Sequence, residues 1–285
     1  MEILQRVVSY SMLAFVLSSM LAVGLGLTVA QIVAPLKNGR LVSLALLANF
    51  VVMPAGALGI ARLLRLDEPL AAALLLLGSA AGAPFLPKLA GIAKGDLGLA
   101  VGLTVLLMVL TVAYMPLALP LLLAGVTVDP MKIARSLVLL MLVPLALALF
   151  VRARWEGVAG ATRPWLGKLS SASLALLMVG MIVTNFQNLL GLYGTRGVVA
   201  SVIFLALGVG AGWLLGGRDR GTKGVMALGT AQRNIAAALV VAGQSFTDPR
   251  VVVLVVVVAI VGMLMLFPLA GSLAAASPRP DGARA

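Results

Sequence analysis

The sequence contains no cysteine and no histidine, and it has only nine acidic residues against 21 lysines and arginines. These absences exclude thiol chemistry, histidine-based catalysis, haem attachment and the usual zinc sites. Charged residues make up 11% of the chain and hydrophobic residues 62%. A soluble domain carries about 25% charged residues, so the composition indicates a membrane protein. We predict no enzymatic activity and no cofactor.

Long stretches without Asp, Glu, Lys or Arg divide the chain. With residues 224–247 they give nine candidate spans, and most exceed the ~18 residues that a transmembrane helix needs. We therefore predict an all-α polytopic membrane protein with nine transmembrane helices. One transmembrane domain covers 1–275, and a disordered tail covers 276–285. Numbered in chain order, spans 1 to 7 are based on the charge-free stretches 7–36, 41–61, 69–87, 97–128, 136–151, 169–195 and 197–217, span 8 is 224–247, and span 9 is based on 251–278.

The net charge of +12 is spread over short loops between the spans. We interpret it as membrane topology and predict the lipid bilayer, and no nucleic acid, as a partner. One side of the predicted topology carries twelve of the Lys and Arg residues and the other side seven. The positive-inside rule then places the C-terminus in the cytoplasm and the N-terminus outside. The largest basic loop follows span 5 and contains Arg152, Arg154, Arg163 and Lys168.

Arg233 lies near the middle of the span over 224–247. A charge at this depth costs roughly 2.5–3.5 kcal/mol even on the lenient insertion scale. Gln232 and Asn234 flank it, and three consecutive helical residues fan over about 200°, too wide for one packed face. An interrupted helix or a cavity wall would relieve this problem. The alternative is an arginine that snorkels, or that pairs inside the bundle for purely structural reasons.

Span 3 contains glycine and proline where a regular helix would continue. Gly82, Pro84 and Pro87 precede Lys88, and a helix through both prolines would lose hydrogen bonds and clash with its preceding turn. We predict two half-helices with a break near 82–87, the second beginning at Lys88. The alternative is a helix that ends at Gly82 and leaves Lys88 in an exposed loop.

Two further features concern neighbouring spans. Span 2 contains Pro54, which frees a backbone carbonyl and allows a kink. Span 7 contains Gly208, Gly210 and Gly212, whose spacing predicts close contact with another helix.

Spans 3 and 8 share one plan, since each is interrupted and each carries a cation at the interruption. Span 3 runs from outside to inside, and span 8 runs the opposite way. Two broken helices that cross in opposite directions are typical of inverted-repeat secondary transporters, which bind substrate at the crossing. We predict inverted repeats over about 8–125 and 131–275.

Several motifs resemble the bile acid:sodium symporter superfamily over residues 12–275. They are NFVVMP (49–54), GSAAGAPF with LAGIAKGDLGLAVGLT (78–104), GVGAGWLLGG (208–217) and GTAQRNIAAALVVA (229–242). The resemblance implies a nine-helix bacterial member in the inner membrane. It also implies a core domain of crossing helices, a panel of outer helices and transport by alternating access.

In sodium-coupled members of that superfamily, two ion sites lie at the crossing. The resemblance places the first site at Leu86, Pro87, Ala100, Thr104 and Gly229, and the second at Asn49, Gly229 and either Gln232 or Arg233. Only Thr104 keeps a ligand of the first site, and the carboxylate that both sites share is replaced by Gly229. A conventional sodium site is therefore not expected, and the chain has the two cations Lys88 and Arg233 in that region.

The resulting hypothesis is a secondary transporter of a small organic anion that does not require sodium. Arg233 supplies a forked donor for a carboxylate, and Lys88 can lose its proton when desolvated and so couple transport to protons. We expect Lys88 and Arg233 to face the same water-filled cavity. Their partners are then backbone carbonyls, Asn49 or a bound anion. The predicted substrate-binding residues are Arg233, Asn234, Gln232, Lys88, Asn49, Thr104, Ser79, Pro84, Pro87 and Thr230.

Two alternatives stay open at this point. One is a sodium-coupled symporter with atypical ligands, and the other is a receptor or scaffold that kept the fold without transporting. The sequence predicts no metal site and does not determine the oligomeric state.

Overall fold

The computed structural model describes residues 2–123, 129–184 and 196–276, and within these ranges the chain is helical and contains no β-strand. This confirms the predicted all-α class. The helices are α1 (Glu2–Gly26), α2 (Val29–Val33), α3 (Gly39–Leu47), α4 (Met53–Leu63), α5 (Glu68–Ser79), α6 (Leu86–Ile92), α7 (Leu97–Leu122), α8 (Pro130–Leu137), α9 (Val143–Arg154), α10 (Glu156–Thr184), α11 (Gly197–Leu215), α12 (Arg220–Ala231), α13 (Ile235–Ser245) and α14 (Pro249–Ala275).

Seven helical stretches of the described residues are long and apolar enough to cross a membrane. They are Arg6–Gly26, Gly39–Leu63, Leu97–Leu122, Pro130–Arg154, Gly197–Leu215, Arg220–Ser245 and Pro249–Ala275. The predicted span 3 is absent from this set because it is divided into the short helices α5 and α6. The predicted span 6 continues past Thr184, outside the described residues. The polar residues at its end, Asn185, Gln187 and Asn188, and the predicted tail beyond residue 276 also lie outside them.

A π-helical turn precedes each of two proline-containing helices. It covers Ala48–Val52 before α4 and Val138–Leu142 before α9, and Pro54 and Pro144 are the second residues of those helices. Proline has no N–H and tolerates the first turn of a helix. The π-helical turn therefore accommodates Pro54 within one continuous helical span, and the kink expected at Pro54 stays a prediction.

The helices pack in two groups. In the first group α1 packs along α10 and α9. In the second, the pairs α5–α6 and α12–α13 pack with α4, α7, α11 and α14. Within Arg220–Ser245, 89% of the most apolar window is buried, against 33–56% for the other spans. The interrupted span that carries Arg233 is therefore shielded from lipid by the other helices.

The close approach of α11 to α12 depends on two glycines. A Cβ atom at Gly208 would lie 2.6 Å from the Cα of Ala231, and one at Gly212 would lie 2.2 Å from the carbonyl oxygen of Met226. Gly210 has open space around it, so it takes no part in the contact that the sequence predicted for all three.

The prediction of a basic loop after span 5 is wrong. Helix α10 begins at Glu156 and contains Arg163 and Lys168, while Arg152 and Arg154 end α9. Arg152 and Glu156 form a salt bridge of 2.7 Å across the one-residue junction. Helix α10 extends beyond the apolar stretch because charged side chains are unfavourable in lipid but are compatible with a helical backbone.

Candidate functional site

Two helix interruptions, distant in sequence, meet inside the second group. Residues 80–85 separate α5 from α6, and residues 232–234 separate α12 from α13. The N–H of Asn234 donates to the carbonyl of Ala80 (2.9 Å), and its Nδ2 donates to the carbonyl of Gly82 (3.1 Å). Its Oδ1 accepts from the N–H of Ala237 (3.0 Å) and caps α13. Asn234 therefore starts one half-helix and ties the two interruptions together.

The first interruption is held against α7. Gly82 has a φ of +77°, and a Cβ atom there would lie 2.2 Å from the backbone nitrogen of Met108. The hydroxyl of buried Thr111 accepts from the N–H of Ala81 (2.9 Å) and donates to the carbonyl of Ala81 (3.1 Å). Sequence reasoning missed Thr111, because nothing in its own apolar stretch marks a contact with residues thirty positions away.

Arg233 is enclosed by oxygen acceptors and is only 2% exposed. Its Nε donates to the carbonyl of Leu77 (2.8 Å), and its Nη2 donates to the carbonyl of Gly78 (2.8 Å). Its Nη1 donates to the carbonyl of Thr230 (3.0 Å) and to Oδ1 of Asn49 (2.7 Å). A longer contact of 3.5 Å joins Nη2 to the backbone oxygen of Asn49. The structure thus uses backbone carbonyls and Asn49, two of the three kinds of partner expected.

The position of these carbonyls explains how an unpaired charge is tolerated. Leu77 and Gly78 lie in the last turn of α5, and Thr230 lies in the last turn of α12. The C-terminal end of a helix carries partial negative charge and stabilises a nearby cation. Two half-helices therefore direct their negative ends at one guanidinium group.

The π-helical turn of Ala48–Val52 places Asn49 at this point. Asn49 is buried, and its Nδ2 also contacts the hydroxyl of Thr230 (3.4 Å). Because Pro54 has no N–H, the carbonyl of Phe50 lacks the donor four residues on that a regular α-helix would supply, and it accepts from the hydroxyl of Tyr114 (2.8 Å). This bond is made within the turn that presents Asn49 to Arg233.

The other predicted site residues differ in surroundings. Thr104 is buried and donates to the carbonyl of Ala100 (2.7 Å). Ser79 is buried, and its hydroxyl has no partner among the described residues. Gln232 has a buried Oε1, likewise without a partner in the described part of the chain.

Two cavities lie between the first and second groups of helices. The first, which we call the central cleft, is narrow and apolar, and Gln232 and Arg233 form part of its wall. The second, which we call the large cavity, has a volume of ≈790 Å³ and contains Lys88 in its wall. Pro84 and Phe85 line both. The expectation that Lys88 and Arg233 face one cavity is therefore wrong, because the first interruption separates them.

The large cavity is basic and partly polar. Lys88 of α6 and Arg163 of α10 are exposed in its wall. None of the described residues that line it is acidic. A Cβ atom at Gly26 would lie 2.5 Å from Nε of Arg163, so the guanidinium group packs directly on α1. The remaining polar side chains of the wall are Ser19, Gln31, Ser170 and Ser171. An apolar wall completes the cavity, formed by Leu27, Leu97, Val101 and Phe85 among others.

Sequence reasoning missed Arg163 because it assigned this residue to a loop. A signal was present: Arg163, Gly167, Ser170 and Ser171 recur at spacings of four, three and one. Polar or small residues at i, i+4, i+7 and i+8 form one face of a helix. That face lines the large cavity.

Comparison with known proteins identifies one family. The model of the Sodium Bile acid symporter family matches residues 12–192. No curated protein sequence matches the chain.

Proposed function

The chain belongs to the sodium bile acid symporter family, and we propose that it is a secondary transporter that carries a small organic anion by alternating access. Its apolar helices place it in a membrane as a multi-pass protein. The proposal includes nine spans arranged as two inverted repeats that cross at the interruptions of α5–α6 and α12–α13. It also includes a bacterial inner-membrane location with the C-terminus in the cytoplasm.

The large cavity is the observation that carries this proposal. It presents Lys88 and Arg163 and no acidic residue among the described lining. A guanidinium group offers a planar pair of N–H donors that matches a carboxylate, and an ammonium group adds a compact charge. The apolar wall formed by residues such as Leu97 and Val101 would cover a hydrocarbon part. These features favour an organic anion over an inorganic one.

The location of the cavity supports alternating access. Its wall comes from α1 and α10 of the first group and from α6 and α7 of the second. A movement of one group relative to the other would open or close it. In the proposed topology it opens toward the cytoplasmic side.

The name of the family implies sodium coupling, and a sodium ion at the proposed crossing would need oxygen ligands and space among the described residues. The oxygen atoms of Leu77, Gly78 and Thr230 already accept from Arg233. A Cβ atom at Gly229 would lie 2.8 Å from Cδ2 of Leu86, so an apolar side chain fills the space next to that position. These residues do not fit a sodium ion, and this supports transport without sodium.

Proton coupling through Lys88 is a further part of the proposal. Lys88 is exposed in the large cavity, and its Nζ lies 6.0 Å and 5.9 Å from the ring centroids of Phe85 and Phe267. Closure of the cavity would remove water from Lys88 and leave these rings as its neighbours. A lysine, unlike an arginine, can exchange its proton, so the proposal couples proton movement to the opening and closing of the cavity.

The proposal is tested by uptake into proteoliposomes of a panel of labelled carboxylates, sulfonates and sulfate esters. We expect at least one amphipathic anion to accumulate above the level of protein-free liposomes. Substitution of Lys88→Gln together with Arg163→Gln should abolish that uptake. Lys168→Gln is the matched control, because Lys168 lies on α10 beside Trp165 and outside the described lining of the cavity. Uptake of no anion by the wild type would favour a receptor or scaffold.

A further inference from the structure

The surroundings of Arg233 resemble the coordination of an ion more than a salt bridge. An arginine side chain has five N–H donors, and the described contacts of Arg233 number five, all to oxygen atoms. The oxygen atoms belong to backbone carbonyls and to the amide of Asn49, so none carries a formal charge. The contacts come from three separate parts of the chain, at residues 49, 77–78 and 230. The group is 2% exposed.

The carbonyls are available because the helices are interrupted. In a continuous helix the carbonyl of Leu77 would accept from the N–H of Ala81, but that N–H donates to Thr111, and the carbonyl accepts from the N–H of Ala80 (3.2 Å) and from Arg233. The carbonyl of Thr230 would accept from the N–H of Asn234, but that N–H donates to Ala80. The interruptions thus leave carbonyl oxygens without these helical partners in a buried place, where such groups need a donor or a cation.

We propose that the crossing is a monovalent-cation site whose permanent occupant is the guanidinium group of Arg233. The side chain takes the place of a bound ion. Its positive charge neutralises the C-terminal ends of α5 and α12, and its hydrogen bonds hold the two interruptions together. Without the side chain, the site takes a free cation, preferentially the guanidinium ion, whose planar N–H donors match the existing acceptors. This inference rests on the proposed function in one respect, the absence of a sodium requirement.

The central cleft provides access for such an ion. Arg233 and Gln232 form part of its wall, and the buried Oε1 of Gln232 has no partner among the described residues. Truncation of Arg233 would join the vacated space to the cleft. Gln232 would then add one further oxygen acceptor near the entering ion.

The experiment compares purified wild-type, Arg233→Ala and Arg196→Ala proteins in detergent. The midpoint of thermal unfolding is measured in choline, sodium or guanidinium chloride at equal ionic strength and at concentrations far below those that denature. Arg196 is the matched control because its Nη1 also donates to a helix-terminal carbonyl, that of Leu64 (2.6 Å), but at an exposed place. No substrate is needed, so a negative result is distinct from a failure to find transport.

We expect Arg233→Ala to unfold at a lower temperature in choline and to regain several degrees in guanidinium, with a smaller gain in sodium. A ligand that binds only the folded state raises the midpoint with the logarithm of its concentration. Wild type and Arg196→Ala should show no such rise. The proposal is overturned if Arg233→Ala responds to the three cations as the wild type does.

A second pair of variants covers the case in which Arg233→Ala does not fold. Arg233→Lys keeps a charge with three donors, whereas Arg233→Met provides an unbranched side chain close to lysine in length but without charge. If the site holds a cation, Arg233→Lys should yield folded protein and unfold at a higher temperature than Arg233→Met. Equal behaviour of the two, folded or unfolded, would show that the site does not hold a cation.

Discussion

The backbone N–H of Asn234 donates to the carbonyl of Ala80 at a distance of 2.9 Å. This bond exists because both helices are interrupted, since a continuous helix would direct the N–H of Asn234 to Thr230. The carbonyl of Thr230, which loses this donor, accepts from Arg233 instead. The two breaks are therefore joined by hydrogen bonds, since residues of the second break donate to carbonyls at the end of α5 and in the first break.

The first prediction concerns Asn234→Ala. This change removes the cap of α13 and the bond to the carbonyl of Gly82, which leaves a buried acceptor without its donor. The free energy of unfolding should fall by roughly 2–4 kcal/mol. Asn38→Ala is the control, because Asn38 caps α3 through Leu41 at the exposed surface, and it should cost only about 1 kcal/mol. Unfolding in detergent measures both, and equal losses would contradict the role of Asn234 in joining the interruptions.

The second prediction concerns the position of Arg163 in the large cavity. In Gly26→Ala the new methyl group would lie where the Arg163 guanidinium packs. Arg163 would therefore keep its charge, but its guanidinium group would be displaced. Affinity for the transported anion should fall about fivefold, which corresponds to about 1 kcal/mol. Gly160→Ala on α10, the helix that carries Arg163, is the control, because a Cβ atom there meets nothing within 4 Å. Unchanged anion affinity in Gly26→Ala, measured by competition for uptake, would argue against Arg163 as an anion contact.

The third prediction separates Lys88 from Arg163 by pH. An arginine stays charged over the whole accessible range, whereas a lysine that loses water can release its proton. Lys88→Gln should flatten the pH dependence of the uptake rate. Arg163→Gln should weaken affinity and leave the shape of the pH profile unchanged. Initial uptake rates between pH 5 and 9 (about the range in which liposomes remain usable) measure this, and a profile that survives in Lys88→Gln would refute proton coupling through Lys88.

The fourth prediction concerns the packing of α11 on α12. Gly212→Ala forces a Cβ atom to within 2.2 Å of the Met226 carbonyl oxygen, and overpacking of this kind costs roughly 1–3 kcal/mol. Gly210→Ala meets nothing within 4 Å and should leave the thermal unfolding midpoint unchanged. Because α12 ends at the Arg233 site, Gly212→Ala should also lower the uptake rate. A neutral Gly212→Ala would show that the two helices are not held at this distance.

The two interruptions could be predicted from the sequence because their causes are local. Gly82 and Pro84 are incompatible with a regular buried helix, and three consecutive polar residues around Arg233 cannot share one packed face. The predicted start of the second half-helix was less accurate. The break was predicted near 82–87 with the second half-helix beginning at Lys88, whereas α6 begins at Leu86. Pro87 lies within the first turn of α6, where the missing N–H of a proline costs nothing.

The partners of the charged side chains could not be predicted, because they depend on tertiary structure. The spacing of residues in the sequence does not show that Leu77 and Gly78 supply acceptors for Arg233. It also does not show that Phe85 lies between Lys88 and Arg233. The acceptors are backbone atoms, which carry no sequence signal. The place of Arg163 in the wall of the large cavity could have been predicted from the helical spacing of the polar and small residues on its face.

The most direct test of the account is the initial rate of anion uptake in wild-type proteoliposomes when external sodium is replaced by choline at constant pH and membrane potential. Arg233 occupies oxygen acceptors at the ends of α5 and α12, so we expect the same rate in both solutions. A rate that falls in choline to the level of protein-free liposomes, and returns when sodium is added, would contradict the account.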